Sequence, residues 1–405
     1  MQTIELIYFN AGGGHRAAAQ ALQAVVRAQG LPWRMRCVNL IDLLDPQARF
    51  QRLTGLAPED LYNLRLAKGW TLGLGTELKL LQGLIRAGHG PMVERLRAHW
   101  QQTRPDMVVS VIPNFNRAMH DALAAACPGV PLVTVMTDLA DHPPAFWIDP
   151  GLAHQHLVCG TARALQQALE AGCNPQRVHR VSGMLLRPDF YQPPQADRRT
   201  EQASARRSLG LDPQRPTGVV MFGGQGSMAM LTIARQLPDV QLVLMCGHNA
   251  VLAQRLRALN PAAPQQVVGF TAEVQRHLAL GDFFIGKPGP GSLSEALQQG
   301  LPVLTVRNAW TMPQERYNTT WVQEMGVGLV GTSWRQLRPL VTELLDSLPA
   351  HQAAVRRIEN RAVFELPEIM GRILAAAAPS AVGTPGPREA PAWHGDKALE
   401  PAPLA

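Results

Sequence analysis

TIELIYFNAGGGHRAAAQAL, residues 3–22, sets an apolar run before three glycines and an alanine-rich run. The first part has the β-branched and aromatic residues of a strand, the glycines permit a tight turn, and the last part suits a helix with one apolar face. A strand, a glycine turn and a helix in this order open nucleotide-binding α/β units, in which the first turn of the helix presents unpaired amides to an anion or hydroxyl. His15 stands where that helix begins. The helix dipole disfavours an imidazolium there, so a neutral ring is available to accept a proton near pH 7; a local cap or hydrogen bond is the plainer role. Gly12, Gly14 and Ala17 also fit G-x-G-x-x-A with Asp42 downstream, which keeps a nicotinamide coenzyme open as a rival ligand.

Outward from this stretch the pattern continues and then restarts. DMVVSVI (106–112), PLVTVMTD (131–138) and HLVCG (156–160) alternate with amphipathic segments, which predicts a parallel sheet covered by helices. TGVVMFGGQGSMAMLTIARQL (217–237) repeats the strand, glycine turn and helix, and VQLVLMCG (240–247), QQVVGF (265–270), DFFIGK (282–287) and LPVLTV (301–306) follow as further strands. The expected α/β architecture is two Rossmann-like domains facing one another across a cleft. They are assigned to 1–185 and 186–355, with a terminal helix over 356–375 crossing back onto the first domain and a disordered tail over 376–405.

Composition narrows the class. A chain of 405 residues, 46% of them hydrophobic, is long enough for two cores. The 38 basic and 31 acidic side chains leave +7, which suits an anionic ligand or membrane surface and is not a nucleic-acid signature. Cys37, Cys127, Cys159, Cys173 and Cys246 form no C-x-x-C pair and are read as reduced structural thiols. With no long apolar run and no leader pattern, the expectation is a cytoplasmic protein without a membrane span. Residues 68–100 combine Lys68, Trp70, Leu72, Leu74, Leu78, Lys79, Leu80, Leu81, Leu84, Ile85 and Arg86, either as an interfacial membrane segment or as a core-facing insert.

Three further clusters carry chemistry. In KPGPGSLSEALQQGLPVL (287–304), Gly289, Pro290 and Gly291 let the backbone approach a ligand, Ser292 opens a helix whose amides suit a diphosphate, and Glu295 can hold two ribose hydroxyls. Ser292 and Glu295 equally fit an S-x-x-E capping box, and Lys287, one of four lysines in the chain, stands beside the turn. In MPQERYN (312–318), Gln314 and Asn318 share a helix face from which amides reach sugar hydroxyls, while Glu315 suits a first helical turn with or without a ligand. In VTVMTDLADHPPAFWI (133–148), Asp138 falls at a strand end, where open α/β sheets place ligands. Asp138, Asp141 and His142 lack the further ligands of a metal site, so no bound metal is expected and Asp141 is read as a turn residue.

Together these segments resemble the monogalactosyldiacylglycerol synthases and the bacterial processive diacylglycerol glycosyltransferases of glycosyltransferase family 28. The resemblance covers about residues 5–330 and rests on NAGGGHRAAAQAL, VVSVIPNF, VTVMTDLADHPPAFW, GMLLRPDF, MFGGQGS, VVGFTAEV, KPGPGSLSEALQQGLPV and QERYN, in that order. It implies a GT-B fold and an inverting transfer of a hexose from a UDP-sugar, the donor substrate, with no tightly bound cofactor or metal. The implied acceptor is a membrane lipid, usually diacylglycerol, reached by peripheral contact with anionic lipid on the inner face of the cell membrane and without any nucleic-acid partner. By position, the resemblance makes His15 the proton acceptor, with Asp138 orienting it or replacing it. It builds the donor site from Gly223, Gly224, Gly226 and Ser227, with Phe270 at the base. Gly289, Gly291 and Ser292 fall at the phosphates beside Lys287, Glu295 at the ribose, and Gln314, Glu315 and Asn318 at the sugar. GGQGSM is poorer in glycine than the family's second loop, and Gly286 stands where the family has threonine. The alternatives are a transferase for another hydrophobic or lipid-linked acceptor, and a UDP-sugar-binding protein or an epimerase on the same fold.

Overall fold

The computed structural model describes residues 1–10, 13–47, 52, 74–152, 154–192 and 198–377. Its described strands form two six-stranded sheets. The first contains β1 (Gln2–Tyr8), β2 (Trp33–Asn39), β3 (Met107–Ser110), β4 (Leu132–Val135), β5 (Gln155–Cys159) and β6 (Val178–Arg180), in the order β2-β1-β3-β4-β5-β6. The second contains β7 (Thr217–Met221), β8 (Gln241–Met245), β9 (Gln265–Val268), β10 (Phe283–Gly286), β11 (Val303–Val306) and β12 (Gly328–Gly331), in the order β12-β11-β10-β7-β8-β9. The pairings are parallel, as expected where helices carry the chain back across each face.

Each sheet reverses direction once, and that position sets up the site. In the first sheet β2 lies on one side of β1 and β3 on the other; in the second, β8 and β10 flank β7. Loops leaving the carboxyl ends of such neighbouring strands diverge and open a crevice. The turn before the Gly14–Ala28 helix and the loop after β3 flank the first crevice, and the turns after β7 and β10 flank the second.

Apolar side chains fill both faces of each sheet. Ile4, Leu6, Val109, Val133 and Val158 pack with Ala18, Leu22 and Val25 of the first helix on one face of the first sheet. Ile7, Val108 and Leu132 pack with Leu96, Trp100 and Met119 on the other. The buried carboxylate of Glu5 on β1 accepts Trp100 Nε1 at 3.0 Å and meets His99 Nε2 at 2.9 Å.

The expected return of the chain to the first domain is present. The last described helix, Ala362–Ala376, buries Val363, Leu366, Ile369, Met370 and Ile373 in the core cluster of the first sheet and its Gly14–Ala28 helix. It begins at Ala362, later than the expected 356, and runs through Pro367 to Ala376. Residues just before it are held outside a helix by polar bonds to the chain that leaves the first sheet: Asn360 Nδ2 donates to Met184 O at 3.0 Å and Arg361 N to Ser182 Oγ at 2.7 Å. Glu365 accepts the Ser182 amide at 2.7 Å. The tail expected from 376 lies outside the described residues from 378 onward.

Candidate functional site

His15 is the second residue of the first helix, whose N-cap, Gly13, has φ +80°. A left-handed residue at this point is readily supplied by glycine, and the helix begins at the next residue. The imidazole Nδ1 lies 2.7 Å from Val111 O, beyond β3, so Nδ1 carries the proton and donates, leaving the Nε2 lone pair available. Thr137 Oγ1 lies 3.2 Å from the same nitrogen. Burial of the ring pushes its pKa down to about 4, against the opposing pull of the Val111 carbonyl. The ring is therefore neutral at physiological pH, as the helix start suggested, although desolvation is the larger cause.

Asp138 lies beyond β4 and is buried. Its Oδ2 accepts the indole N–H of Trp147 at 2.8 Å, and the Trp147 ring in turn lies 6.3 Å from the His15 ring, centroid to centroid. Burial raises the Asp138 carboxyl to about 7; the Trp147 bond pulls it down, Glu315 and Asp141 push it up, and Lys287 pulls it down. This reverses the expected order of the two groups. On sequence grounds Asp138 should titrate below His15, but burial disfavours the charged form of each, raising the acid and lowering the base.

Trp147 is held by Asp141, whose carboxylate accepts the amides of Ala145, Phe146 and Trp147 at 2.9, 3.0 and 2.6 Å. Asp141 thus organises the turn that carries the indole. Among the described residues, no group of three or more His, Cys, Asp or Glu is placed to hold a metal ion. Trp147 itself was visible in the motif at 133–147, yet nothing in its spacing identified it as the link between His15 and Asp138.

The second crevice is built from two turns. After β7, Gly223 and Gly226 have φ of +75° and +60°, and a side chain at Gly226 would meet Cys246 O at 2.5 Å, so the loop lies close against the end of β8. Gly224 O accepts the His248 amide at 2.8 Å, and Ser227 Oγ accepts Ala229 N at 3.3 Å. Phe270 is exposed and stacks on His248, with ring centroids 3.9 Å apart and planes 19° apart.

After β10, the Pro290–Gln298 helix starts with Gly289 as its N-cap and no side-chain cap bond. Ser292 is the third residue of this helix and does not open it, so the S-x-x-E capping box is not formed. Proline at the first position, its φ already helical, moves the start two residues earlier. The first backbone bond runs from Leu293 N to Gly289 O at 3.0 Å, which leaves the Gly291 and Ser292 amides at the open end. Glu295 is half-buried, and burial pushes its carboxyl up to about 7 against the pull of Arg187, a cation the motif reading did not include.

The Q-E-R-Y-N segment bends against this turn. Glu315 is buried, and its Oε1 meets Lys287 Nζ at 3.1 Å. Asn318, expected to face a sugar, is buried with Nδ2 donating to Pro288 O at 2.7 Å. Gln314 is half-buried, its Nε2 3.7 Å from Met312 Sδ. Lys287 and Glu315, from the second domain, act electrostatically on Asp138, from the first. The two crevices therefore face one another.

A family model described as monogalactosyldiacylglycerol (MGDG) synthase matches residues 15–183. The probable chloroplastic monogalactosyldiacylglycerol synthase 2 of Oryza sativa subsp. japonica is 27% identical over 351 residues, covering 83% of this chain and 72% of that protein. Chloroplastic monogalactosyldiacylglycerol synthase 1 of Arabidopsis thaliana is 26% identical over 384 residues, covering 89% and 69%. Among solved structures, the calicheamicin glycosyltransferase aligns with a TM-score of 0.60 at 15% identity, over 94% of this chain and 100% of that one. MurG of Acinetobacter baumannii aligns with a TM-score of 0.58 at 14% identity, over 92% and 99%. The UDP-GlcNAc 2-epimerase of Neisseria meningitidis, bound to UDP-GlcNAc, aligns with a TM-score of 0.57 at 13% identity, over 93% and 100%. The structures share the fold across transferases and an epimerase, whereas the sequence relatives are synthases. This chain has the GT-B fold and is similar in sequence to the monogalactosyldiacylglycerol synthases.

Proposed function

We propose that the chain transfers a hexose from a UDP-sugar to the hydroxyl of a membrane lipid, with diacylglycerol as the acceptor, and inverts the anomeric centre. It is a hexosyltransferase. The observation that carries the reading is the meeting of the two crevices: Asp138, hydrogen-bonded to Trp147, whose ring also lies 6.3 Å from the His15 ring, is within electrostatic reach of Lys287 and Glu315.

The donor lies along the second domain. Its diphosphate rests on the Gly291 and Ser292 amides and on the turn at Gly223, Gly224, Gly226 and Ser227, where fixed dipoles need no reorganisation as charge develops on the leaving group. Lys287 adds positive charge beside them. Glu295 holds the ribose hydroxyls, Phe270 flanks the base, and Gln314 and Glu315 border the sugar. The acceptor hydroxyl enters from the first domain, opposite the leaving UDP, and His15 Nε2 takes its proton as oxygen attacks the anomeric carbon. Ionised Asp138, held by Trp147, stabilises the positive charge that appears on the imidazole and on the sugar.

Glu295→Ala should weaken UDP binding by roughly 1.5–3 kcal/mol, about ten- to a hundredfold in Kd, for the loss of hydrogen bonds to a charged group. Calorimetry checks this, and unchanged affinity in a folded variant removes Glu295 from the ribose.

The helix Leu74–Ala87 supports a membrane contact. Leu80, Leu81 and Leu84 are exposed on it, while Leu78 packs against the core cluster that includes Met136, Phe146 and Trp147. One side therefore belongs to the core, and the open side supports the membrane reading. Lys68, Trp70 and Leu72, and the side chains of Leu74 and Lys79, lie outside the described residues. No helix among the described residues is long and apolar enough to cross a membrane. We place the protein peripherally on the inner face of the cell membrane, with the exposed leucines among the acyl chains. Replacing Leu80, Leu81 and Leu84 by serine should reduce cosedimentation with anionic liposomes at least tenfold, since each buried leucine contributes about 1.5–3 kcal/mol. Undiminished binding by the folded triple variant would move the contact elsewhere.

The activity is tested by supplying UDP-galactose or UDP-glucose with diacylglycerol vesicles and following UDP release. Release that requires the lipid supports transfer; release or epimerisation of the sugar without lipid favours the alternative on this fold.

A further inference from the structure

We infer that Asn318 is a positioning residue that fixes the diphosphate-binding turn and does not read the sugar. The inference rests on the donor site proposed above. Asn318 is the third residue of the Arg316–Glu324 helix and is completely buried. Its Nδ2 donates to Pro288 O at 2.7 Å, and its Oδ1 is buried without a partner. With one end of the amide engaged and the other enclosed, neither is presented to a sugar hydroxyl.

Pro288 occupies the turn between Lys287 and the N-cap Gly289, where Gly289 N donates to Lys287 O at 2.8 Å. A proline has no amide hydrogen, so its carbonyl is the one backbone group through which Pro288 can be hydrogen-bonded. Asn318 takes that carbonyl. Three residues earlier, Glu315 takes the neighbouring Lys287 ammonium at 3.1 Å. The Q-E-R-Y-N segment thus grips the turn twice, at the Lys287 side chain and at the Pro288 backbone. Both bonds act immediately before the Gly291 and Ser292 amides, whose direction they set. Small displacements of preorganised donors have large effects on a bound anion, so a side chain that never touches the ligand can govern its affinity.

The sugar-reading and positioning roles separate when UDP and an intact UDP-hexose are compared. Calorimetry with both ligands is to be run on the wild type, Asn318→Ala and Asn318→Asp. Alanine removes the Asn318 amide with its unmet acceptor but leaves the buried Pro288 carbonyl without its donor, so the melting midpoint should fall by several degrees. Aspartate keeps the shape but, when ionised, turns an acceptor toward the Pro288 carbonyl in place of the donor, so it tests the same bond without emptying the space. We expect both variants to lose affinity for UDP and for UDP-hexose by the same factor, about tenfold or more. Amide hydrogen exchange at Gly291 and Ser292 should be faster in both. Wild-type affinity for UDP with weakened binding of UDP-hexose would make Asn318 a sugar contact and overturn the inference. Failure of the wild type to bind UDP overturns the donor site itself, and this inference with it.

Discussion

His15→Ala is expected to lower turnover by about 10² to 10⁴ at saturating donor and acceptor while leaving UDP affinity within about twofold of wild type. The loss follows from the one proton the reaction must remove. An alcohol attacking an anomeric carbon has to shed its proton as the bond forms, and a neutral imidazole with a free Nε2 is oriented for it by the Nδ1 bond to Val111 O. UDP affinity should survive because His15 belongs to the first domain and the proposed phosphate and ribose contacts belong to the second. Calorimetry and steady-state kinetics on the same preparation check both halves. A variant that turns over within about threefold of wild type removes His15 as the proton acceptor and leaves Asp138 to fill that role.

Asp138→Asn is expected to have an effect of similar size, with a distinct dependence on pH. The Asp138 carboxyl is raised to about 7, mainly by burial. It is protonated below that pH and ionised above it, so an activity that needs the carboxylate rises as pH increases through about 7. His15, lowered to about 4, stays neutral throughout that interval and contributes no limb there. The wild-type kcat/KM profile should therefore show an acid limb near 7, reporting the free enzyme. Asparagine keeps the acceptor for the Trp147 indole but cannot ionise, so turnover should fall about a hundredfold or more and the limb should vanish. In His15→Ala the residual activity should keep the limb. A limb that persists in Asp138→Asn assigns the titration to another group, with Glu295 next in line because its carboxyl is also raised to about 7.

The sequence revealed the fold through its buried strands. Central strands such as Val219–Met221 and Phe283–Ile285 are covered on both faces and read as continuous apolar runs. The strands that escaped notice are β2, β6 and β12, and each lies at a sheet edge. β2 carries Arg34 and Arg36 on a half-open ladder, β6 is three residues long, and β12 is bounded by Gly328 and Gly331, so none has the apolar density that marks a central strand.

The candidate site was legible in its residues and only partly in their roles. Glycines at strand ends gave the turns, because close approach and positive φ restrict those positions. Burial was not visible in the same way. That His15 sits below its ordinary pKa and Asp138 far above it depends on packing from loops more than a hundred residues apart. Likewise, nothing in Q-E-R-Y-N shows that Asn318 faces Pro288 and away from solvent. The capping-box alternative at Ser292 and Glu295 is not realised for a local reason, since Pro290 starts the helix earlier.

The most direct measurement is the structure of the product. The purified protein should be incubated with UDP-galactose or UDP-glucose and diacylglycerol vesicles, and the lipid fraction analysed by mass spectrometry and proton NMR. The expected product is a hexosyl diacylglycerol with a β anomeric linkage, formed in step with UDP and reduced in the His15→Ala and Asp138→Asn variants in parallel with turnover. Donor consumed with no glycosylated lipid, or a product that keeps the donor's α configuration, would contradict the proposed transfer.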